Sequence, residues 1–366
     1  MLFLQQLYNV KNRTPQSRNQ VPGAGSDRIR YNEAYVRRIG ITTTVPSEVI
    51  LAAGAIPVDL NNLFVGDNEP SSLIAAAEKS GFPLNTCAWI KGIYGTTLKY
   101  GIKEVICVTG GDCSNTLMLM EVLRHRGVKT ISFAYPSEPD EKLMAAEIEE
   151  LALKLATTVQ SAEAVRNVLL PVRSLTSELD RLTWQGNKIS GKENHYWLVS
   201  TSDLNENVTR FSKELSEVIA EASKRHQYPA DELRLGFVGV PPVYAAEFYS
   251  FLERCGGRVV FNEVQRQFSM PNAVKSLSEQ YCRYTYPYDT AGRVSDIKAA
   301  IDERRLDGII HYVQSFCHRA IGDIIIRSEL EVPVLTIEGN ADFVLSQHLK
   351  TRLEAFLDVL RFKRPG

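Results

Sequence analysis

No CxxC pair occurs among the six cysteines, Cys87, Cys107, Cys113, Cys255, Cys282 and Cys317. That gap removes zinc ribbons and thioredoxin-like redox motifs. Six thiols in 366 residues are also too sparse for the disulfide frameworks that staple short secreted scaffolds. An excess of one charge is missing too: 42 Lys+Arg against 43 Asp+Glu leave a formal net charge of −1. Such a balance offers no electrostatic footprint for nucleic acid or an anionic membrane surface. No apolar run approaches the roughly twenty residues a spanning helix needs. The opening MLFLQQLYNVKNR has too short an apolar stretch and no small-residue cleavage site for a signal peptide. A cytoplasmic protein with neither nucleic acid nor membrane as partner is expected. The glycine-rich GGDCSN at 110–115 lacks the Lys-Ser/Thr of a P-loop, so no nucleotide site is assigned there.

What is present is ordinary globular composition, 44% apolar and 23% charged, in a chain long enough for two or three domains. Residues 1–35 are polar and irregular and read as an N-terminal arm. Over 36–138 helix and strand alternate. Helices are expected at 46–53, 71–79, 87–100 and 114–126, and strands at 56–60, 103–109 and 129–134. Residues 139–230 carry long amphipathic patterns with many i,i+4 opposite charges and read as a helical bridge, with KISGKEN (188–194) as a polar loop inside it. Alternation resumes over 231–366, with strands in LRLGFVGV, GGRVVFNEV, LDGIIHYV and VPVLTIE. Helices are placed at 244–255, 294–305, 320–330 and 346–360. This pattern predicts an α/β fold of two doubly wound, Rossmann- or flavodoxin-like parallel-sheet domains joined by a helical segment, with a pseudo-duplication between the halves.

Three cysteines fall in one kind of place. Cys113 stands between the strand ending VICVTGG and the helix beginning at Ser114. Cys317 occupies the matching turn after LDGIIHYVQ, and Cys87 opens the helical stretch AWIKGIYG. A helix start offers unpaired backbone N–H groups and partial positive charge, so a thiol there ionises more readily than one in an apolar core. Strand-to-helix turns at the carboxyl edge of a doubly wound sheet also line its ligand crevice. Three such thiols converging on an interdomain cleft are one short of a closed four-ligand shell. They suit a cubane cluster that keeps one iron open. A zinc ion, a lone nucleophilic thiol and three unrelated buried cysteines remain alternatives at this point. Cys107, inside an apolar strand, and Cys255, at a helix end before Gly256-Gly257, read as packing, while Cys282 is undecided.

Other polar groups are candidates by position. Glu48, one turn into a helix, and Glu338, after the last strand, are candidate catalytic carboxylates. Gln314 is a third catalytic candidate. Ser315 and His318, flanking Cys317, are candidates for the surroundings of a cluster. His311, within a strand, reads as a satisfied core histidine.

The stretches VPSEVILAAGAIPVDL, NTCAWIKGIYG, GGDCSNTLMLMEVL, GVPPVYAAEFYSFLERCGGRVVFNEVQRQFSMP, DGIIHYVQSFCHRAIGDIIIR and VPVLTIEGNADF together resemble the 2-hydroxyacyl-CoA dehydratase family. That family includes benzoyl-CoA reductase subunits and double-cubane cluster proteins. The resemblance runs from about Thr43 to the C-terminus and is weakest in the helical middle. It implies two α/β lobes around a [4Fe-4S] cluster held by Cys87, Cys113 and Cys317. It also implies a separate ATP-hydrolysing iron–sulfur activator and a homodimer or a heterodimer with a related subunit. The implied substrate is an acyl-CoA thioester, whose ketyl radical expels a hydroxyl group. The alternatives within the resemblance are a double-cubane [8Fe-9S] reductase of small molecules and a non-catalytic electron-transfer or scaffold subunit. One departure stands out: Thr42-Thr43-Thr44 lies where some relatives carry a cysteine.

Overall fold

A computed structural model describes residues 37–364, and the arm expected over 1–35 lies outside the described residues. The chain forms two compact units. Unit 1 takes residues up to Val172, then Ser200–Glu214 and Asn272–Tyr288. Unit 2 takes Arg173–Val199, Leu215–Pro271 and the chain from Asp289 onward. These units do not follow the boundaries expected at 138/139 and 230/231. The reason is packing. The helix Glu141–Lys154 lies on the first sheet and against the helix Leu277–Cys282 in unit 1, whereas Gly191–Val199 packs on the second sheet. The amphipathic helices of 139–230 bury their apolar stripes in the two units instead of forming a body of their own.

In unit 1, strands β1 (Arg38–Ile41), β2 (Ile56–Asp59), β3 (Glu104–Gly110) and β4 (Lys129–Ala134) form a parallel sheet in the order β2-β1-β3-β4. In unit 2, β5 (Leu233–Gly239), β6 (Gly257–Asn262), β7 (Gly308–Gln314) and β8 (Val334–Gly339) form a parallel sheet in the order β6-β5-β7-β8. The two orders are the same, one crossover for one crossover, which bears out the flavodoxin-like pattern and the pseudo-duplication. Every residue of β7, GIIHYVQ, is buried, as befits a central strand covered on both faces. The helix Ala88–Lys99 is similarly enclosed, from Ala88 through Thr97 with only Trp89 partly exposed.

The segment Ser200–Glu214 is pinned to the carboxyl end of β2. Asp203 Oδ2 accepts the Asp59 N–H at 2.9 Å, and the Ser202 hydroxyl donates to Asp59 Oδ2 at 2.6 Å. Burial pushes both carboxyls above their ordinary range. The next residues, Leu204, Asn205 and Glu206, are all left-handed (φ 54°, 50° and 59°). Three such non-glycine residues in a row are costly unless anchored. The Arg38 guanidinium supplies an anchor, donating twice to Glu206 at 2.9 Å.

Unit 2 holds a buried polar chain. His195 Nδ1 lies 2.8 Å from the Tyr249 hydroxyl, whose own proton goes to Asn262 Oδ1 at 2.6 Å. Asn262 Nδ2 donates to Asn194 Oδ1, and Asn194 Nδ2 donates to Asp180, which also receives Arg304. Burial lowers His195 to about 3, so the folded protein keeps it neutral. The unfolded chain protonates it near its ordinary value of about 6.5. The folded state therefore binds fewer protons, and this contribution is complete above about pH 6.5 and erodes below it, by at most about 1.4 kcal/mol per pH unit. We expect the wild-type melting temperature to fall more steeply than that of His195→Gln between pH 7 and pH 5. Parallel melting curves would contradict a neutral, buried imidazole.

Candidate functional site

Each unit places a cysteine on the turn after its third strand, with the cysteine carbonyl accepting the N–H three residues on. In unit 1, β3 ends at Gly110, and Gly111 adopts φ +89°. A Cβ at Gly111 would stand 2.7 Å from Tyr135 Cβ and 3.1 Å from the Pro287 carbonyl oxygen, so both conformation and space require glycine. Cys113 follows, with its carbonyl accepting the Thr116 N–H at 3.0 Å, and Ser114 caps the helix Asn115–His125. In unit 2, β7 ends at Gln314 and Phe316 takes the left-handed conformation (φ 63°). The Cys317 N–H returns to the Gln314 carbonyl at 3.1 Å. Both cysteines stand third after the last residue of the corresponding strand, the third strand of each unit. One difference from expectation lies beyond Cys317. The helix placed at 320–330 begins instead as a 3-10 turn, His318–Gly322, before the α-helix Asp323–Glu329. Gly322 sits at the junction, where a tight turn gives way to the wider helix.

Cys87 is the N-cap residue of the helix Ala88–Lys99, its carbonyl accepting the Lys91 N–H at 3.2 Å. The Cys87 side chain makes no capping hydrogen bond to that helix start. Cys87 is buried and Cys113 half-buried against the same apolar cluster. Trp89, two residues on, has its indole N–H buried without a partner. Cys107 belongs to the same cluster but is fully enclosed within β3, and burial pushes its thiol up to about 12. It is a packing residue. Cys255 caps the end of the helix Ala245–Arg254, and burial raises its thiol. Cys282, at the end of the helix Leu277–Cys282, is raised mainly by burial, with a hydrogen bond to Tyr288 acting the other way. No disulfide joins any of the six.

The remaining candidates sort clearly. Glu48 is fully buried: Gln280 Nε2 donates to its Oε1 at 2.9 Å and the Tyr281 hydroxyl to its Oε2 at 2.8 Å. Gln314 is buried, accepting from the Tyr312 hydroxyl at 3.0 Å and donating to Asn340 Oδ1 at 3.0 Å. Ser315 and Glu338 are brought together, with the hydroxyl donating to Glu338 Oε1 at 2.7 Å. His318 is exposed at the start of the 3-10 turn, and desolvation followed by Arg319 lowers its pKa. His311 lies buried with Nδ1 2.7 Å from Asp323 Oδ1, a core histidine with its partner.

Among the described residues, no group of three or more His, Cys, Asp or Glu side chains is gathered as a metal shell. The donor type at the three cysteine positions is nevertheless one that iron–sulfur centres use. Three thiols sit at turns leading into helical structure, and none is in a disulfide. The buried hydroxyls without partners include those of Thr44, after β1, and Tyr244, after β5. Composition and periodicity carried no signal for either, because an unmade hydrogen bond is visible only once the fold is known.

No helix among the described residues is long and apolar enough to cross a membrane. No curated protein matches the chain. Residues 42–360, well over half of the sequence, match the family described as 2-hydroxyglutaryl-CoA dehydratase, D-component. With two flavodoxin-like units and cysteine turns on equivalent strands already described, that match identifies the chain as a member of the 2-hydroxyglutaryl-CoA dehydratase D-component family.

Proposed function

We propose that the chain is an iron–sulfur subunit of a 2-hydroxyacyl-CoA dehydratase-type enzyme, with Cys87, Cys113 and Cys317 as the thiolate ligands of a [4Fe-4S] cluster. What supports the reading, beyond the family, is the repetition of one device. Cys113 and Cys317 stand at the same offset after equivalent strands, each on a turn that enters helical structure. When bound, such a cluster with an open iron supplies a low-potential electron and a Lewis acid for the leaving hydroxyl. The protein's own groups have simpler tasks. Cys87 stands at the N-terminus of the helix Ala88–Lys99, whose partial positive charge suits an anionic ligand. In unit 2, Gln314 is fixed from both ends by Tyr312 and Asn340, so it presents one orientation to a substrate. Glu338 is held by Ser315 and is the exposed carboxylate available to move a proton at the substrate. Glu48, locked by Gln280 and Tyr281, orients its helix and the segment that carries them. An ATP-dependent iron–sulfur activator and a second, related subunit complete the proposed assembly, in the cytoplasm.

Anaerobic purification with iron and sulfide counting tests this directly. About four irons per chain are expected for a single cubane, against about eight for the double cubane. Cys113→Ala and Cys317→Ala should each lose most of the iron, whereas Cys255→Ala should keep it. Full iron content in Cys317→Ala would remove that residue from the ligand set. Turnover of the isolated chain with activator and ATP would show that no second subunit is needed.

A further inference from the structure

Tyr244 occupies the loop after β5, immediately ahead of the helix Ala245–Arg254, and is only 5% exposed. Its hydroxyl is buried and makes no hydrogen bond. β5 is a central strand, and its last residue, Gly239, pairs with Tyr312 of β7, the strand that leads to Gln314, Ser315 and Cys317. The Tyr244 ring stands edge-on to the Tyr312 ring at 6.2 Å. Thus the phenol lies in unit 2, at the carboxyl edge where ligands of doubly wound sheets bind.

The donors at the end of β7 and in the turn after it are already engaged. Tyr312 donates to Gln314, Gln314 donates to Asn340, and Ser315 donates to Glu338. Tyr244 is the phenol at this edge whose proton has no acceptor. Leaving a buried hydroxyl unmade is a net cost to the fold, and such groups call for an explanation. Tyr94 also has a buried, unpartnered hydroxyl, but it lies within a helix against Phe82 and away from any strand end. Burial, with Asp342 adding to it, raises the Tyr244 phenol above its ordinary value, so the group stays protonated and acts as a donor.

We propose that Tyr244 is a substrate-binding residue, donating its hydrogen bond to the carbonyl oxygen of an acyl thioester. The carbonyl end is favoured over the phosphates of coenzyme A because Asp342, which follows β8 and acts on the Tyr244 phenol, would repel an anion. This inference rests on the reading of the chain as an acyl-CoA enzyme, and the two can fail separately.

The test uses the full chain, purified anaerobically, with acetyl-CoA, butyryl-CoA and 2-hydroxyglutaryl-CoA as thioester probes and free coenzyme A as the probe without a carbonyl. Calorimetric titration should show Tyr244→Phe binding its best thioester about tenfold more weakly than wild type, with coenzyme A affinity unchanged. The melting temperature should stay level or rise, because the variant discards an unsatisfied hydroxyl. Equal thioester affinity in Tyr244→Phe would overturn the assignment while leaving the enzyme reading intact. So would a lower melting temperature, which would reveal a partner for the hydroxyl inside the protein. Wild type that binds no thioester would overturn both.

Discussion

Arg293→Ala is expected to lower stability by about 3–5 kcal/mol, the largest loss of any single substitution considered. Arg293 Nε donates to Glu263 Oε1 at 2.6 Å and its terminal nitrogen to Oε2 at 2.9 Å, with both side chains nearly inaccessible. The Gly239 N–H donates to the same carboxylate at 2.9 Å. Burial pushes the Glu263 carboxyl up, but Arg293 and the backbone donor outweigh it and hold the group below its ordinary range. In the wild type, this contribution is therefore present above the ordinary carboxylate pKa and lost as pH falls. Without Arg293, the buried carboxylate keeps one strong donor and its burial penalty, and its pKa rises instead. The sign of the pH dependence then reverses: the variant's deficit should be larger at pH 8 than at pH 5. Urea midpoints of wild type and variant at those two pH values decide it. A deficit below about 1 kcal/mol at pH 8 would mean the pair offers no more than an exposed ion pair.

Gly95→Ala should cost about 3 kcal/mol, the opposite of what helix propensity alone dictates. In an exposed helix interior, alanine is better than glycine by roughly 1 kcal/mol. At Gly95 the added Cβ would lie 2.3 Å from the Leu73 carbonyl oxygen and 2.8 Å from Leu73 Cα. Those are backbone atoms of the helix Pro70–Lys79, so no rotamer change relieves the clash and one helix must move away from the other. Cys87 caps the start of the displaced helix, so the iron content of the anaerobically purified variant should fall as well. Wild-type stability in Gly95→Ala would show that these helices sit farther apart than described.

The interior strands were legible because an apolar run between turn signals leaves little freedom. β4 matches its expected limits and β3, β7 and β8 fall close to theirs. β1 carried no such mark. Four residues, RIGI, beside a basic pair resemble a surface turn, yet the sheet's order makes this a central strand. Three of the four six-residue helices among the described residues, Leu60–Val65, Glu263–Phe268 and Leu277–Cys282, are too short for periodicity to register, whereas Ser47–Ala52 is marked by Pro46 ahead of it. KISGKEN misled in the other direction. Gly191 reads as a breaker, but it opens the helix Gly191–Val199, where any side chain would meet the Val259 carbonyl oxygen at 2.7 Å. The cysteine turns were readable because each lies a fixed step beyond a strand. The partners of Glu48 were not, since Gln280 lies 232 residues away and nothing local foretells that pairing.

The way the chain threads between its two units sets a timetable for its birth. Unit 1 needs Asn272–Tyr288, which brings Gln280 and Tyr281 to Glu48, so its core stays incomplete until most of the polypeptide has left the ribosome. Unit 2 in turn waits for β8 and the helix Gln347–Lys363. A nascent chain held half-finished for so long displays bare sheet edges and apolar helix faces, the condition under which chaperones are recruited. Loading of the proposed cluster can then begin only after synthesis is nearly over, and severing the gene at its midpoint would leave two fragments, each missing pieces of both units.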